Sequence, residues 1–220
     1  MNTQQPYKII LVDDHVLLRD ALASLINSFD GFNVIDVAAN GKDLIIAIEN
    51  GNVPNLVVLD LNMPGMDGYE TTKWLHKTLP DIKILILTMF DSEIALIRLL
   101  QEGVRGFLKK DVHPAELKSA LLNVAENGYY YSNNTTGKLA SFFHKNHESH
   151  TPIDRALLSE NEIEFLKLAS TEMTYKEIAQ AMHITPRAID GFRDGLFEKL
   201  DVKSRVGLAI YAVKNGIITF

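Results

Sequence analysis

Cysteine is absent from all 220 residues, which excludes disulfide bonds and thiolate-held metals. Long apolar runs are absent as well. None approaches the ~20 residues that span a bilayer, so no membrane helix is expected. The amino terminus, MNTQQPYKIILVDD, has no basic segment ahead of its short apolar run and does not read as a secretory signal. The cytoplasm is therefore the expected compartment. An excess of positive charge is also missing: 22 Lys and Arg face 28 Asp and Glu, a net charge of −6. A uniformly basic protein that coats nucleic acid is thereby excluded, and any contact with DNA has to come from a local arrangement.

What is present is a normal hydrophobic content of 46%, enough for a folded core, in a chain long enough for one large domain or two smaller ones. The acidity is uneven. Residues 1–130 hold 11 Lys and Arg against 17 Asp and Glu, whereas residues 151–220 hold 9 against 10. Short β-rich runs recur in the first part, at YKIILVD, FNVIDVA, NLVVLD, IKILILT and VRGFLK. Apolar residues at helical spacing fill the intervals, as in Val16, Leu17, Ala21, Leu22, Leu25 and Phe29. Strand–helix alternation of this kind predicts an α/β fold, a (βα)5 doubly wound parallel sheet covered on both faces, over residues 1–128. Residues 129–152 are rich in Asn, Thr and Ser and end at Pro152, which predicts a linker with a short helix near 137–144. Residues 153–220 are purely helical in pattern, with helices predicted over 159–170, 174–182, 186–199 and 204–214. Ser159 with Glu162 forms a capping box at the first of them.

Asp13 and Asp14 end the first strand and Asp60 ends the third. In a doubly wound sheet these two strands are neighbours at the point where strand order reverses, and ligands bind beyond their carboxyl ends. Two like charges about 4 Å apart repel by roughly 4 kcal/mol at an effective dielectric of about 20, so such a cluster needs a cation. An oxygen-only ligand set favours Mg²⁺ over zinc. Thr88 ends the fourth strand and Lys110 follows the fifth. A hydroxyl, an ammonium and a divalent cation converging on a carboxylate make a phosphoryl-transfer site with Asp60 as nucleophile. In the turn LDLNMPGMDG, Asn62 can offer its backbone carbonyl to the metal, and Asp67 can cap the next helix with Gly68 just inside.

The set DD at 13–14, Asp60 with NMPGMDG, Thr88 and GFLKKD at 106–111 resembles the receiver domain of bacterial two-component response regulators. The resemblance covers about residues 6–128. It implies a sensor histidine kinase that phosphorylates Asp60 from phosphohistidine. It also implies Mg²⁺ on Asp14, Asp60 and the Asn62 carbonyl with Asp13 in support, and a switch formed by Thr88 and Phe107. Lys110, three residues after the aromatic, matches the family lysine.

In the second half, TYKEIAQAMHITPRAIDGFRDGLFEKL places two helices around a short turn. Ile178, Ala179 and Met182 face inward on one, and Ile189, Phe192, Leu196 and Leu200 form the apolar stripe of the other. That is a helix-turn-helix, and residues 157–218 resemble the LuxR-type output domain of NarL/FixJ response regulators. The resemblance implies a DNA-binding transcription regulator. Its DNA-facing set would be Lys176, Thr185, Arg187, Asp190, Gly191, Arg193, Asp194, Lys199, Lys203, Ser204 and Arg205. The family commonly carries Lys or a neutral polar residue where this chain has Asp190 and Asp194. A near-neutral domain also predicts weak binding by a monomer, so a homodimer is expected on DNA or on phosphorylation.

Phosphorylation would shift the 91–102 region with Phe107, reposition the helical half and promote dimers. The chain would be a phosphoacceptor with slow self-dephosphorylation rather than an enzyme. Two rivals are a signalling adaptor whose helical domain binds protein, and a Mg²⁺-dependent phosphohydrolase. His144, His147 and His150 read as solvated linker, the tyrosines at 129–131 as packing at the domain edge, and His15 as a helix-start residue.

Overall fold

The computed structural model describes residues 5–89, 93–132, 136, 158–215 and 217–218. The first unit is built on a parallel sheet. Its elements in chain order are β1 (Tyr7–Val12), α1 (Val16–Asn27), β2 (Phe32–Ala38), α2 (Gly41–Glu49), β3 (Leu56–Leu59), α3 (Gly68–Thr78), β4 (Lys83–Thr88), α4 (Glu93–Gln101), β5 (Gly106–Lys109), α5 (Pro114–Asn127) and β6 (Tyr130–Tyr131). The strand order is β2-β1-β3-β4-β5-β6, so the order reverses between β1 and β3 as expected of a doubly wound sheet.

Burial on both faces explains the unbroken apolar strands. Successive side chains of a strand point to opposite faces. Ile9 and Leu11 of β1, Leu56 and Val58 of β3 and Leu85 and Leu87 of β4 pack with Ile26 of α1 and Leu117, Leu121 and Val124 of α5. Their neighbours Ile10, Val57, Leu59, Ile84 and Ile86 are buried as well, so alternation with polar residues has no place in these strands.

The sheet does not stop at Gly128. That glycine ends α5 in the left-handed conformation, at φ 88°, and turns the chain back so that β6 pairs in parallel with β5, Gly106 opposite Tyr130. Residues 129–131, expected to open the linker, thus belong to the sheet unit, and the five-stranded expectation gains a short edge strand. The helix expected near 137–144 and the histidines at 144, 147 and 150 lie outside the described residues.

The second unit comprises α6 (Glu160–Ala169), α7 (Tyr175–Ala181), α8 (Pro186–Lys199) and α9 (Arg205–Lys214). Each start is capped by a hydroxyl. Ser159 and Thr174 form capping boxes with Glu162 and Glu177, Thr185 accepts from the Ala188 amide, and Ser204 accepts from the Gly207 amide. Left-handed residues, His183 (φ 55°) and Asp201 (φ 52°), end α7 and α8 where breakers were expected. Phe165, Leu166, Ile178, Ile189, Leu196 and Leu208 form the core. A half-buried link joins α6 to α8 beside it: Lys199 donates to both Glu162 oxygens at 2.8 and 2.9 Å. Desolvation raises the Glu162 pKa, but the bonds from Lys199 and Ser159 outweigh it and hold the group below the usual glutamate value. Among the described residues, no helix is long and apolar enough to cross a membrane.

Candidate functional site

β1 and β3 run in register, Val12 opposite Leu59, so Asp13 and Asp60 leave the sheet side by side at its carboxyl edge. The Asp60 amide donates to the Val12 carbonyl at 2.9 Å. Lys110 follows β5, and its amide donates to the Thr88 carbonyl at 2.9 Å, which ties it to the end of β4. Its ammonium reaches Asp13 Oδ2 at 2.8 Å and Asp60 Oδ2 at 2.9 Å. The three side chains are only 2–4% exposed, so these contacts act in a medium where charge is poorly screened.

The other carboxylate oxygens are held differently. Asp60 Oδ1 accepts from the Leu61 amide at 2.8 Å. Asp13 Oδ1 accepts from the His15 amide at 2.9 Å and lies 3.1 Å from the His15 ring Nδ1. Asp14 Oδ1 is 2.9 Å from the same ring nitrogen, but it is out of line for a hydrogen bond and is a buried oxygen without a hydrogen-bond partner. Asp13, Asp14, His15 and Asp60 each offer a ligand atom, all within 4.8 Å of one another.

Burial pushes the Asp60 carboxyl up from its usual 3.8, with Asp13 adding to the rise, and Lys110 only partly offsets it. Burial also works against the Lys110 ammonium, yet the hydrogen bonds to Asp13 and Asp60 prevail and hold its pKa above the usual lysine value. Three carboxylates against one ammonium leave a local excess of negative charge. That excess and the unbonded Asp14 oxygen fit a small divalent cation taking oxygen ligands.

The turn after β3 keeps Asp60 in place. Asp67 and Glu70 form a capping box at α3, and the Gly68 amide donates to the Leu61 carbonyl at 2.9 Å. A Cβ on Gly68 would lie 2.4 Å from the Asp60 carbonyl oxygen and 2.6 Å from Leu61 Cα, so only glycine fits. Asn62 is half-buried in the same turn. Thr88 is fully buried, and Phe107 is 4% exposed inside β5, opposite Ile86. The expected set Asp13, Asp14, Asp60 and Lys110 is thus brought together, with Thr88 joined to it through the backbone. His15 is the N-cap of α1, the helix-start residue expected, and its ring also meets Asp13 and Asp14. The local signal was an aspartate two residues ahead of a helix start, whose side chain folds back to the His15 amide.

In the helical unit, Lys176, Thr185, Arg187, Asp190, Gly191, Asp194, Lys203 and Ser204 are exposed. Three residues of the expected DNA-facing set also have partners within the unit. Lys199 is held by Glu162. Arg205 donates to the carbonyls of Ala169 and Thr171, both at 2.7 Å, which satisfies the end of α6. Arg193 pairs with Asp190 at 3.1 Å and Asp194 at 2.9 Å. Both guanidinium groups lie over the Tyr175 ring, at 5.5 and 5.3 Å.

Residues 9–122 match the family described as response regulator receiver domain, and residues 156–212 match the bacterial regulatory proteins of the luxR family. The chain belongs to the NarL/FixJ family of response regulators. This regulator is 30% identical over 219 residues to the oxygen regulatory protein NreC of Staphylococcus carnosus, covering 97% of this chain and 100% of that one. It is 31% identical over 221 residues to the transcriptional regulatory protein LnrK of Bacillus subtilis, covering 97% and 99%. In fold it is similar to RcsB of Salmonella enterica serovar Typhimurium, solved bound to promoter rprA in the presence of a phosphomimetic, with a TM-score of 0.70 and 21% identity over 94% of this chain and 98% of that one. A receiver domain followed by a LuxR-type DNA-binding domain makes this chain a DNA-binding transcription regulator, which favours that reading over the adaptor and the phosphohydrolase.

Proposed function

We propose that this regulator is switched by phosphorylation of Asp60, with a sensor histidine kinase as donor, and that it acts in the cytoplasm as a homodimer on DNA. The observation that carries the reading is the buried Asp60 carboxylate, 2.9 Å from the Lys110 ammonium, in a pocket whose negative charge exceeds its compensation. When bound by Asp14, Asp60 and the Asn62 carbonyl, with Asp13 in support, Mg²⁺ supplies positive charge for the phosphoryl oxygens.

A carboxylate oxygen of Asp60 attacks the phosphorus of the donor phosphohistidine. The P–N bond breaks, its electron pair returns to the imidazole, and an acyl phosphate forms on Asp60. Lys110 holds the acceptor in place and then accompanies the added negative charge, while the Thr88 hydroxyl takes a phosphoryl oxygen. Phe107 and the α4 region respond, and the dimer forms. Return to the resting state is hydrolysis: water attacks phosphorus, the acyl P–O bond breaks, and phosphate leaves the restored carboxylate. The chain is thus a phosphoacceptor that resets itself slowly rather than an enzyme turning over a substrate.

Acetyl phosphate with Mg²⁺ is expected to raise the dimer fraction of the wild type in sedimentation and to increase its retention of promoter DNA. Asp60→Asn should stay at the unphosphorylated level in both measurements. An equal response from the variant would overturn the proposal.

A further inference from the structure

α8 carries the same dipeptide twice, one turn apart: Asp190-Gly191 and Asp194-Gly195, within IDGFRDGLFEKL. Glycine is the poorest helix former after proline, and nothing inside the fold requires it here. A Cβ at either position would meet no atom within 4 Å. Two carboxylates one turn apart also repel each other. The glycines weaken the isolated helix, and the carboxylates depend on Arg193 between them to offset their repulsion, so the use of both lies in what the exposed face of α8 meets.

Arg193 gives the carboxylates a fixed geometry. Its Nη1 donates to Asp190 Oδ1 at 3.1 Å and its Nε to Asp194 Oδ1 at 2.9 Å. The guanidinium lies over the Tyr175 ring at 5.5 Å, and that ring stacks in turn on Phe165 of the core. The acids stand outermost, 58% and 64% exposed, above an arginine that is 29% exposed. Arg193 is therefore a positioning residue, anchored from below and holding one oxygen of each carboxylate.

We propose that Asp190 and Asp194 determine the sequence specificity of this regulator, each accepting a hydrogen bond from a cytosine N4 amino group in the major groove, with Gly191 and Gly195 allowing the close approach that such short side chains need. The inference rests on the DNA-binding reading above. An ionised carboxylate only accepts hydrogen bonds. At base edges it pairs with the cytosine amino donor, whereas phosphates repel it. Acids on this face therefore disfavour non-specific contact and reward the right base. Four helical residues rise ~6 Å, close to two base steps of ~3.4 Å each, so the two cytosines are expected about two steps apart.

The full-length protein, treated with acetyl phosphate and Mg²⁺, is to select duplexes from a random library. The wild type is expected to enrich half-sites with two cytosines about two base steps apart. Changing one of these cytosines to adenine should weaken its binding roughly 5- to 150-fold. Asp194→Asn should exchange cytosine for adenine at one of the two positions, because an asparagine amide matches the adenine edge. Gly195→Ala should melt higher than the wild type yet bind the selected site about tenfold or more weakly, which separates lost approach from lost folding. Selection of unchanged sites by Asp190→Asn and Asp194→Asn, or wild-type sites without the cytosines, would overturn this inference alone. Failure of the wild type to retain any duplex would overturn the DNA-binding reading and this inference with it.

Discussion

Lys110→Met is expected to cost the sheet unit about 3–5 kcal/mol of stability when divalent cations are chelated. The lysine is 3% exposed and holds two carboxylates that are 2% and 4% exposed, so its loss leaves buried charge without a counter-ion. Burial already pushes the Asp60 carboxyl up with the lysine in place, and removing the ammonium pushes it further. A raised carboxylate pKa gives stability that is present at low pH and lost as pH rises through the folded value. The variant should therefore recover stability on acidification, toward and below the raised Asp60 value, and it should gain more from added Mg²⁺ than the wild type does. Chemical denaturation with chelator, with Mg²⁺ and across pH checks all three. A variant as stable as the wild type in chelator at neutral pH would show that the ammonium does not hold this cluster together.

Gly68→Ala is the second large effect. A methyl group there would meet the Asp60 carbonyl oxygen at 2.4 Å and Leu61 Cα at 2.6 Å, and both are main-chain atoms that no rotamer change can move. Overpacking of a core typically costs about 1–3 kcal/mol, and backbone-to-backbone conflict places this change at the upper end. The displaced segment carries Asp60 itself, so phosphorylation should slow even in molecules that remain folded. Denaturation and the initial rate of labelling by acetyl phosphate measure the two consequences separately. Unchanged values for both would mean that the turn yields freely.

The site was legible because strand ends are legible. Asp13, Asp60, Thr88 and Lys110 each follow an apolar run, and the doubly wound rule brings such ends together without further information. The helical unit was legible for a similar reason, since caps and breakers mark its turns. β6 was not, because Tyr130–Tyr131 is too short to show a period and pairs only because Gly128 turns the chain back along β5. The partners that three of the expected DNA-facing residues have within the helical unit were unevenly legible. The Lys199–Glu162 pair joins residues 37 positions apart, and the two bonds of Arg205 to the end of α6 depend on packing that spacing does not encode. The Arg193–Asp190 pair, three residues apart on one helix, follows a local rule and was open to reading from the sequence.

Chemical trapping of the phosphorylated residue tests directly whether Asp60 is the phosphoacceptor. The protein is incubated with acetyl phosphate with Mg²⁺ or with chelator, reduced with borohydride, which captures an acyl phosphate, and mapped by mass spectrometry. Modification is expected at Asp60 with Mg²⁺ and is expected to be lost in chelator. Modification at another residue, or undiminished modification of Asp60 in chelator, would contradict that role.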